Sequence, residues 1–260
     1  MDQVRRVLVT GAAGVIGKAV RVHLADRYEL HYLTHRPADF PSHVADISDL
    51  DAIQPAFAGM DAVVHLAASP SVETPWEQIL PNNLVGTYNV FEAARRAGVA
   101  CVVFASSNHT IGMYEKDEAP GIYALDDPRC YDAQVPVRPD SLYGVSKVYG
   151  EALGRYYHDN FGLRVYCLRI GSVRADDDPC ARAVADSSGW LDLTPQQKFE
   201  RLRATWLSQR DCAALIDCCL QAERVPWAVV YGISNNPRQF WDLSGARALL
   251  GYHPQDAAPE

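Results

Sequence analysis

The chain has 260 residues, of which 48% are apolar and 22% charged, and it carries a formal net charge of −8 at pH 7. This composition is typical of a globular protein and opposes a nucleic-acid binder, whose binding face would be basic. No apolar run approaches the ~20 residues that span a bilayer, and the N-terminus, MDQVRRVLVTGAAG, lacks the apolar stretch of a signal peptide. We therefore expect a cytoplasmic protein with neither nucleic acid nor membrane as a partner.

The seven cysteines are odd in number and include no CxxC pair. Most of them lie in apolar surroundings, which predicts buried free thiols rather than disulfides or metal ligands. The sequence therefore predicts no metal site.

Short apolar runs alternate with segments of helical spacing along the chain. The predicted strands are 5–10, 29–35, 61–67, 100–106 and 164–171, and the predicted helices are 15–27, 82–98, 142–162 and 194–208. This alternation predicts right-handed βαβ crossovers, and hence an α/β fold with a Rossmann-type, doubly wound parallel sheet.

The chain is expected to form a single compact unit with two functional parts. Residues 1–171 would bind the dinucleotide, and residues 172–260 would form a small substrate-binding part packed on the strand ends. Two stretches rich in Pro and Asp, 115–141 and 174–200, are expected to contain long loops that border the ligand site.

A glycine-rich turn follows the first predicted strand. TGAAGVIG (10–17) has the pattern GxxGxxG and opens a predicted helix. Gly11 would allow the tight turn, Gly14 would let the backbone approach a pyrophosphate, and Gly17 would let the helix pack closely on the strand. The helix N-terminus would offer N–H groups to the phosphates. An ordinary glycine-rich turn is the alternative, but the position between strand and helix favours a dinucleotide site.

The end of the second strand normally selects between the two nicotinamide dinucleotides. A carboxylate there would favour NAD, but this chain has His35 and Arg36 instead. Because these two residues could pair with a 2′-phosphate, we expect NADP slightly ahead of NAD; the alternative is a solvated loop arginine and mixed specificity. Asp46 is placed for the adenine amino group. The other predicted cofactor contacts are Val15, Ile16, Ile47, Leu66, Ala67, Ala68, Asn83, Tyr143, Lys147 and Ile170.

Tyr143 and Lys147, in YGVSK, lie four residues apart and therefore on one face of a helix. A nearby ammonium favours the phenolate, so the sequence predicts a tyrosine with a lowered pKa that accepts a proton near neutral pH. The same spacing also arises by chance, as a surface aromatic beside a solvated lysine. The glycine motif, together with Ser107 at the end of the preceding strand, favours the catalytic interpretation.

With these motifs the chain resembles the extended short-chain dehydrogenase/reductase superfamily over residues 4–255. Within it, the chain is similar to uronate dehydrogenases and to halophilic archaeal NAD-dependent glucose-6-phosphate dehydrogenases. The strings that carry the likeness are FASSNHTIGMY (104–114), RPDSLYGVSK (138–147), GRYYHD (154–159), LRIGSV (168–173), TWLSQRDCA (205–213), VVYGISNN (229–236) and RALLGYHPQD (247–256).

The resemblance implies oxidation of C1 of a cyclic aldose to a lactone, with hydride passing to the nicotinamide. By position in the matching motif, Tyr143 would take the proton of the C1 hydroxyl. Lys147 would shift the pKa of this tyrosine and hold the nicotinamide ribose. Ser107 would hydrogen-bond the reacting oxygen. The resemblance also assigns substrate contacts to Ser71, Asn108 and His109.

Two arginines extend this expectation to the substrate's charge. Arg201 matches the arginine that pairs with the carboxylate in uronate dehydrogenases, and Arg203 is a second candidate for a phosphate or carboxylate. We therefore expect an anionic sugar, such as glucose 6-phosphate or a uronate. The alternative for Arg201 is an exposed helix charge, since KFERLRATW carries several such charges. The resemblance also implies a homodimer.

Two other functions remain open from the residues alone. A nucleotide-sugar epimerase or dehydratase would keep its NAD(P) tightly bound, and a redox-sensing protein would bind a dinucleotide without catalysis. The C-terminal part is short for a nucleotide pocket, which opposes the first, and the Tyr–Lys pair opposes the second.

Overall fold

A single parallel sheet lies at the centre of the computed structural model, which describes residues 4–181 and 191–259. The seven strands found in these residues are β1 (Arg6–Thr10), β2 (Glu29–Thr34), β3 (His43–Val44), β4 (Ala62–His65), β5 (Cys101–Ser107), β6 (Arg164–Ile170) and β7 (Trp227–Gly232). Their order is β3-β2-β1-β4-β5-β6-β7. The order reverses between β1 and β4, which is where doubly wound sheets bind their ligands. The predicted fold class is confirmed.

Helices cover both faces of the sheet. They are α1 (Val15–His23), α2 (Leu50–Ile53), α3 (Trp76–Gln78), α4 (Gly86–Arg96), α5 (Gly112–Glu118), α6 (Leu142–Phe161), α7 (Pro195–Thr205), α8 (Gln209–Gln221) and α9 (Ser244–Leu250). Among the described residues, no helix is both long and apolar enough to cross a membrane.

Strand β5 shows why the sheet is apolar on both faces. Every residue of the strand is buried. Cys101, Val103 and Ala105 pack into one hydrophobic cluster. Val102 and Phe104 pack into the other. Alternate side chains thus enter two separate helix–sheet layers, as expected for a parallel strand with helices on each side.

The sheet joins the two predicted functional parts. Strand β7 comes from the C-terminal part, yet it pairs with β6 from Val165↔Trp227 to Ile170↔Gly232. Residues from both parts also share the larger hydrophobic cluster. The segment 172–260 therefore contributes a strand and core side chains to the same sheet as the glycine-rich turn.

Local structure differs from the prediction in several segments. The stretch 115–141 begins inside α5 and contains a 3₁₀ turn at Gly121–Tyr123. A π-helical turn, Ile79–Val85, precedes α4. Neither β3 nor β7 is among the predicted strands, and β3 has only two residues. The predicted loop 174–200 lies partly outside the described residues. Its last residues overlap the helix predicted over 194–208, which the structure contains as α7 (Pro195–Thr205).

An ion pair between Glu151 and Arg169 joins α6 to β6 inside the fold. Arg169 Nε and Nη2 donate to the two carboxylate oxygens at 2.9 and 2.8 Å, and Ser106 Oγ donates to Oε1 at 2.6 Å. The side chains are only 3% and 9% exposed.

We predict that Arg169→Met will lower the free energy of unfolding by about 3–5 kcal/mol, because it leaves a buried carboxylate without its cation. The matched control is Arg155→Ala, which removes an exposed pair with Asp159 and should cost less than about 1 kcal/mol. Urea denaturation of the two variants measures both values, and equal losses would contradict the prediction.

Candidate active site

The glycine-rich turn has the geometry that its sequence predicts. Gly11 has φ +70°, a left-handed conformation that disfavours side chains, and a Cβ there would lie 2.7 Å from the Ala67 nitrogen. A Cβ on Gly17 would lie 2.6 Å from the Ala12 backbone, so this glycine lets α1 pack against the turn. No side chain caps the N-terminus of α1 at Gly14. Its first N–H groups can therefore serve an anionic ligand such as a pyrophosphate.

A cavity of about 630 Å³ opens at this turn. It includes most of the predicted cofactor contacts, and its lining residues are Gly11, Ala13, Gly14, Val15, Ile16, Gly17, Leu33, Thr34, His35, Ala45, Asp46, Ile47, Leu66, Ala67, Ala68, Ser69, Pro70, Asn82 and Val173. The cavity and the uncapped helix end together fit a dinucleotide.

The two residues behind the NADP expectation lie at the edge of this cavity. His35 and Arg36 are both exposed. His35 lines the cavity, whereas Arg36 is not one of its lining residues. Asp46 lines it too, and its Oδ1 accepts a hydrogen bond from the Ser48 amide at 2.8 Å.

Asn83, a predicted cofactor contact, is hydrogen-bonded within the chain. Its Oδ1 accepts from the Ser69 amide at 2.8 Å, and its Nδ2 donates to Ser69 O and to Ser146 Oγ. The neighbouring Asn82 lines the cavity instead. Asn83 therefore ties the loop after β4 to helix α6, because its amide is fully engaged inside the chain.

The polar end of β5 forms a tight 3₁₀ turn, Asn108–Thr110. Ser107 caps this turn by accepting from the His109 amide at 3.2 Å, and Thr110 Oγ1 donates to Ser107 O at 2.9 Å. Ser107 Oγ also lies 3.3 Å from Asn108 Oδ1. Ile170, at the end of β6, is the direct neighbour of Ser107 in the sheet. These residues therefore lie at the carboxyl edge, as predicted.

Helix α6 brings Tyr143 and Lys147 to the same edge. Ser141 caps the helix, and a Cβ on Gly144 would lie 2.4 Å from His109 O, so the glycine allows close approach to the 3₁₀ turn. Lys147 Nζ donates to Ala105 O at 2.7 Å and lies 5.5 Å from the Tyr143 ring centre. The two side chains are therefore neighbours, as the YxxxK spacing requires.

The predicted lowering of the tyrosine pKa is wrong for this structure. Burial raises the pKa of Tyr143 to about 12, and the Asp140 charge adds to this, although a hydrogen bond from Ser107 opposes it. Burial also lowers the pKa of Lys147 to about 7. Both groups are withdrawn from water, which disfavours the charged form of each, and Lys147 is not among the groups that shift the tyrosine pKa.

An aspartate that sequence reasoning missed orients His109. Asp140 Oδ2 lies 2.7 Å from His109 Nδ1, and Ser141 Oγ donates to Asp140 Oδ1 at 2.8 Å. A carboxylate only accepts, so it fixes a proton on Nδ1. The His109 and Tyr143 rings meet edge to face, with centroids 5.9 Å apart. Asp140 directly precedes Ser141, the residue that caps helix α6. That position is the sequence signal by which the aspartate could have been found.

The remaining predicted substrate contacts differ in their surroundings. Ser71 is exposed, and its Oγ accepts from the Glu73 amide at 3.1 Å. Arg201 Nε donates to Glu115 Oε1 at 2.6 Å, so this predicted anion clamp already holds a carboxylate of its own chain. Arg203 lines a different cavity of about 380 Å³, away from the glycine-rich turn, with Arg238 and Pro120 among its neighbours. The two predicted anion-binding residues therefore do not converge on one site.

No group of three or more His, Cys, Asp or Glu side chains is arranged to hold a metal ion within residues 4–181 and 191–259. The seven cysteines are all free thiols, and Cys130 and Cys180 are exposed rather than buried.

Lys147 leads to a prediction about the pH dependence of stability. Its ordinary pKa of 10.5 falls to about 7 on folding, so between these values the unfolded chain binds more protons than the folded one. Stability contributed by this group therefore rises with pH, by up to ~1.4 kcal/mol per pH unit. Lys147→Met should flatten that slope between about pH 7 and 8.5. The cysteines begin to titrate in this range, but they are the same in both proteins and so cancel in the comparison. Urea denaturation across this range checks it; an unchanged slope would show that the lysine keeps its ordinary pKa.

Comparison with known proteins agrees with this geometry. A model of the NAD dependent epimerase/dehydratase family matches residues 7–182. The NAD-dependent glucose-6-phosphate dehydrogenase of Haloferax volcanii is 40% identical, over 100% of this chain and 96% of that protein. The L-arabinose 1-dehydrogenase (NAD(P)(+)) of the same organism is 39% identical, over 96% of each.

A solved structure extends the likeness to three dimensions. A mutant uronate dehydrogenase from Agrobacterium tumefaciens complexed with NAD superposes with a TM-score of 0.78 at 37% identity, covering 98% of this chain and 86% of that one. The family model covers well over half of the chain, and these relatives span nearly all of it. The chain therefore belongs to the NAD-dependent epimerase/dehydratase family.

Proposed function

We propose that this protein is an NAD(P)-dependent sugar dehydrogenase that oxidises C1 of an aldose to the lactone. The observation that carries the proposal is the convergence of Ser107, His109 and Tyr143 at the carboxyl edge of the sheet, beside the dinucleotide cavity. Relatives named as dehydrogenases of glucose 6-phosphate and L-arabinose support the same reaction.

Each side chain has a chemical role in this proposal. The Tyr143 oxygen takes the proton of the C1 hydroxyl, and Ser107 Oγ hydrogen-bonds the same oxygen. Asn108 and His109 bind ring hydroxyls, and Asp140 keeps the imidazole oriented. Bound NAD(P)⁺ would supply the hydride acceptor and a positive charge near the phenol. That charge, with the Lys147 ammonium, opposes the burial that raises the tyrosine pKa.

For the substrate, we propose glucose 6-phosphate as the first candidate among acidic sugars. Its support is the relative of that name at 40% identity over the whole chain. An uncharged aldose is the second candidate, and the pairing of Arg201 with Glu115 specifically favours it. The same pairing opposes the uronate that the sequence also suggests, because the matching arginine is occupied.

For the cofactor, we propose NADP slightly ahead of NAD. The support is the absence of a carboxylate at positions 34–36 and the presence there of His35 and Arg36 at the cavity edge. Arg36 is exposed and long enough to turn toward a 2′-phosphate.

A spectrophotometric screen tests the proposed function. It crosses NAD and NADP with glucose 6-phosphate, glucose, L-arabinose, glucuronate and galacturonate, and follows the absorbance of the reduced nicotinamide. We expect reduction with glucose 6-phosphate or a neutral aldose, and a higher kcat/KM with NADP. Tyr143→Phe should lower kcat by at least about 100-fold, since it removes the proton acceptor. A tightly co-purifying dinucleotide with no net reduction would instead indicate an epimerase or dehydratase.

We also propose a homodimer formed through α4 and α6, which pack side by side. Tyr88 on α4 and Val145 and Tyr156 on α6 are 44%, 47% and 52% exposed, forming an apolar face that a partner helix pair could cover.

Light scattering should give twice the chain mass of 28.7 kDa. Tyr88→Glu should shift the protein toward monomer, whereas Val22→Glu, at an exposed position of α1, should not. A monomeric wild type would refute the proposal.

A further inference from the structure

We propose that Glu115 determines substrate specificity, by occupying Arg201 and so excluding sugars that carry a carboxylate. This inference rests on the proposed function. It narrows the substrate class to aldoses that bring no anionic group to Arg201, which are uncharged aldoses and any sugar phosphate whose phosphate binds elsewhere.

The contact between the two residues is close and buried. Arg201 Nε and Nη2 donate to Glu115 Oε1 and Oε2 at 2.6 and 3.4 Å. The Glu115 side chain is 2% exposed and that of Arg201 is 16% exposed. Tyr123 Oη donates to Glu115 Oε1 at 2.9 Å, which fixes the carboxylate from a second direction. The carboxylate therefore cannot swing into water to make way for a ligand.

Helix α5 places Glu115 close to the catalytic residues. Gly112 lies three residues before Glu115, hence on the same helical face. A Cβ on Gly112 would lie only 1.7 Å from Asp140 Oδ2, so this face of α5 lies against the aspartate that orients His109. Glu115 is thus one helical turn away from the cluster of Asp140, His109 and Tyr143.

Helix α7 places Arg201 at the same edge by an independent contact. Thr205 lies four residues after Arg201 on the same face, and its Oγ1 lies 2.8 Å from Ser172 Oγ, just beyond the end of β6. Arg203, two residues after Arg201, projects from another face of the helix and lines the separate cavity described above. Arg201 therefore lies on the face of α7 that meets the end of β6, and Arg203 does not.

The charges explain the proposed exclusion. A sugar carboxylate that approached Arg201 would meet a second carboxylate on the same guanidinium, in a site with little water to screen the repulsion. An uncharged hydroxyl meets no such repulsion. A sugar phosphate would have to bind away from this pair.

The test is Glu115→Gln, which keeps the shape and an oxygen that can accept from Arg201 and Tyr123 but removes the charge. We expect kcat/KM for glucuronate, relative to that for the best neutral aldose, to rise at least about tenfold. The matched control is Glu118→Gln on the same helix, whose carboxylate also accepts from a tyrosine, Tyr131, and pairs with an arginine, Arg129. That variant should leave the ratio unchanged.

A binding measurement separates this inference from the proposed function. Calorimetric titration of glucuronate into the NADH-loaded protein reports affinity without turnover, and Glu115→Gln should bind at least about tenfold more tightly than wild type. A wild type that oxidises no aldose overturns the proposed function, and the titration still decides the role of Glu115. An unchanged affinity and ratio, or equal gains in Glu118→Gln, overturn the inference.

If Glu115→Gln fails to fold, as judged by circular dichroism, Glu115→Asp takes its place. Its shorter side chain withdraws the carboxylate from Arg201, and a smaller gain in glucuronate affinity is expected. No gain in that variant likewise overturns the inference.

Discussion

The parallel pairing of the strands is the constraint on which the site depends. Because all of the strands run in one direction, the ends of β1, β4, β5 and β6 meet at a single edge. The glycine-rich turn, the loop after β4 and the polar tip of β5 are brought together there by sheet register alone. Ser107 lies beside Ile170 because the two residues are paired in the ladder. Hydrogen bonds along the backbone thus determine the positions of side chains that are far apart in sequence.

Burial then determines the electrostatics of this edge. Tyr143 and Lys147 are 8% and 4% exposed, and desolvation is the largest cause of the pKa shift in each. The Glu115–Arg201 pair shows the opposite balance: partial burial lowers the pKa of Arg201, but the adjacent carboxylate raises it by more. A charge withdrawn from water at this edge is retained only where the chain supplies an opposite charge within hydrogen-bonding distance.

Sequence reasoning succeeded where a short motif determines its own geometry. The turn requires a positive φ at Gly11, and Gly17 packs on the backbone of Ala12 five residues earlier. A spacing of four residues likewise places Tyr143 and Lys147 on one helix face. It failed where the outcome depends on groups distant in the chain. Glu115 and Arg201 are 86 residues apart, so no local pattern could reveal that the predicted anion clamp has an internal partner.

The other misses have the same physical origin. The direction of the Tyr143 pKa shift depends on how much water the surrounding helices exclude, which spacing alone does not report. Strand β7 is only six residues long and follows a helix from the C-terminal part, so its place beside β6 is set by tertiary packing. Asp140 can orient His109 only because α5 and α6 both pack against the 3₁₀ turn that carries the histidine.

The location of β7 limits how the enzyme can move. Since this strand is bonded along its length to β6, the C-terminal part has no separate core on which to rotate. Swinging it as a hinged lobe would break the β6–β7 ladder at the edge of the sheet and separate side chains that share one hydrophobic cluster. The sheet therefore serves as a fixed base for both parts of the chain, and any movement on ligand binding is confined to segments outside it.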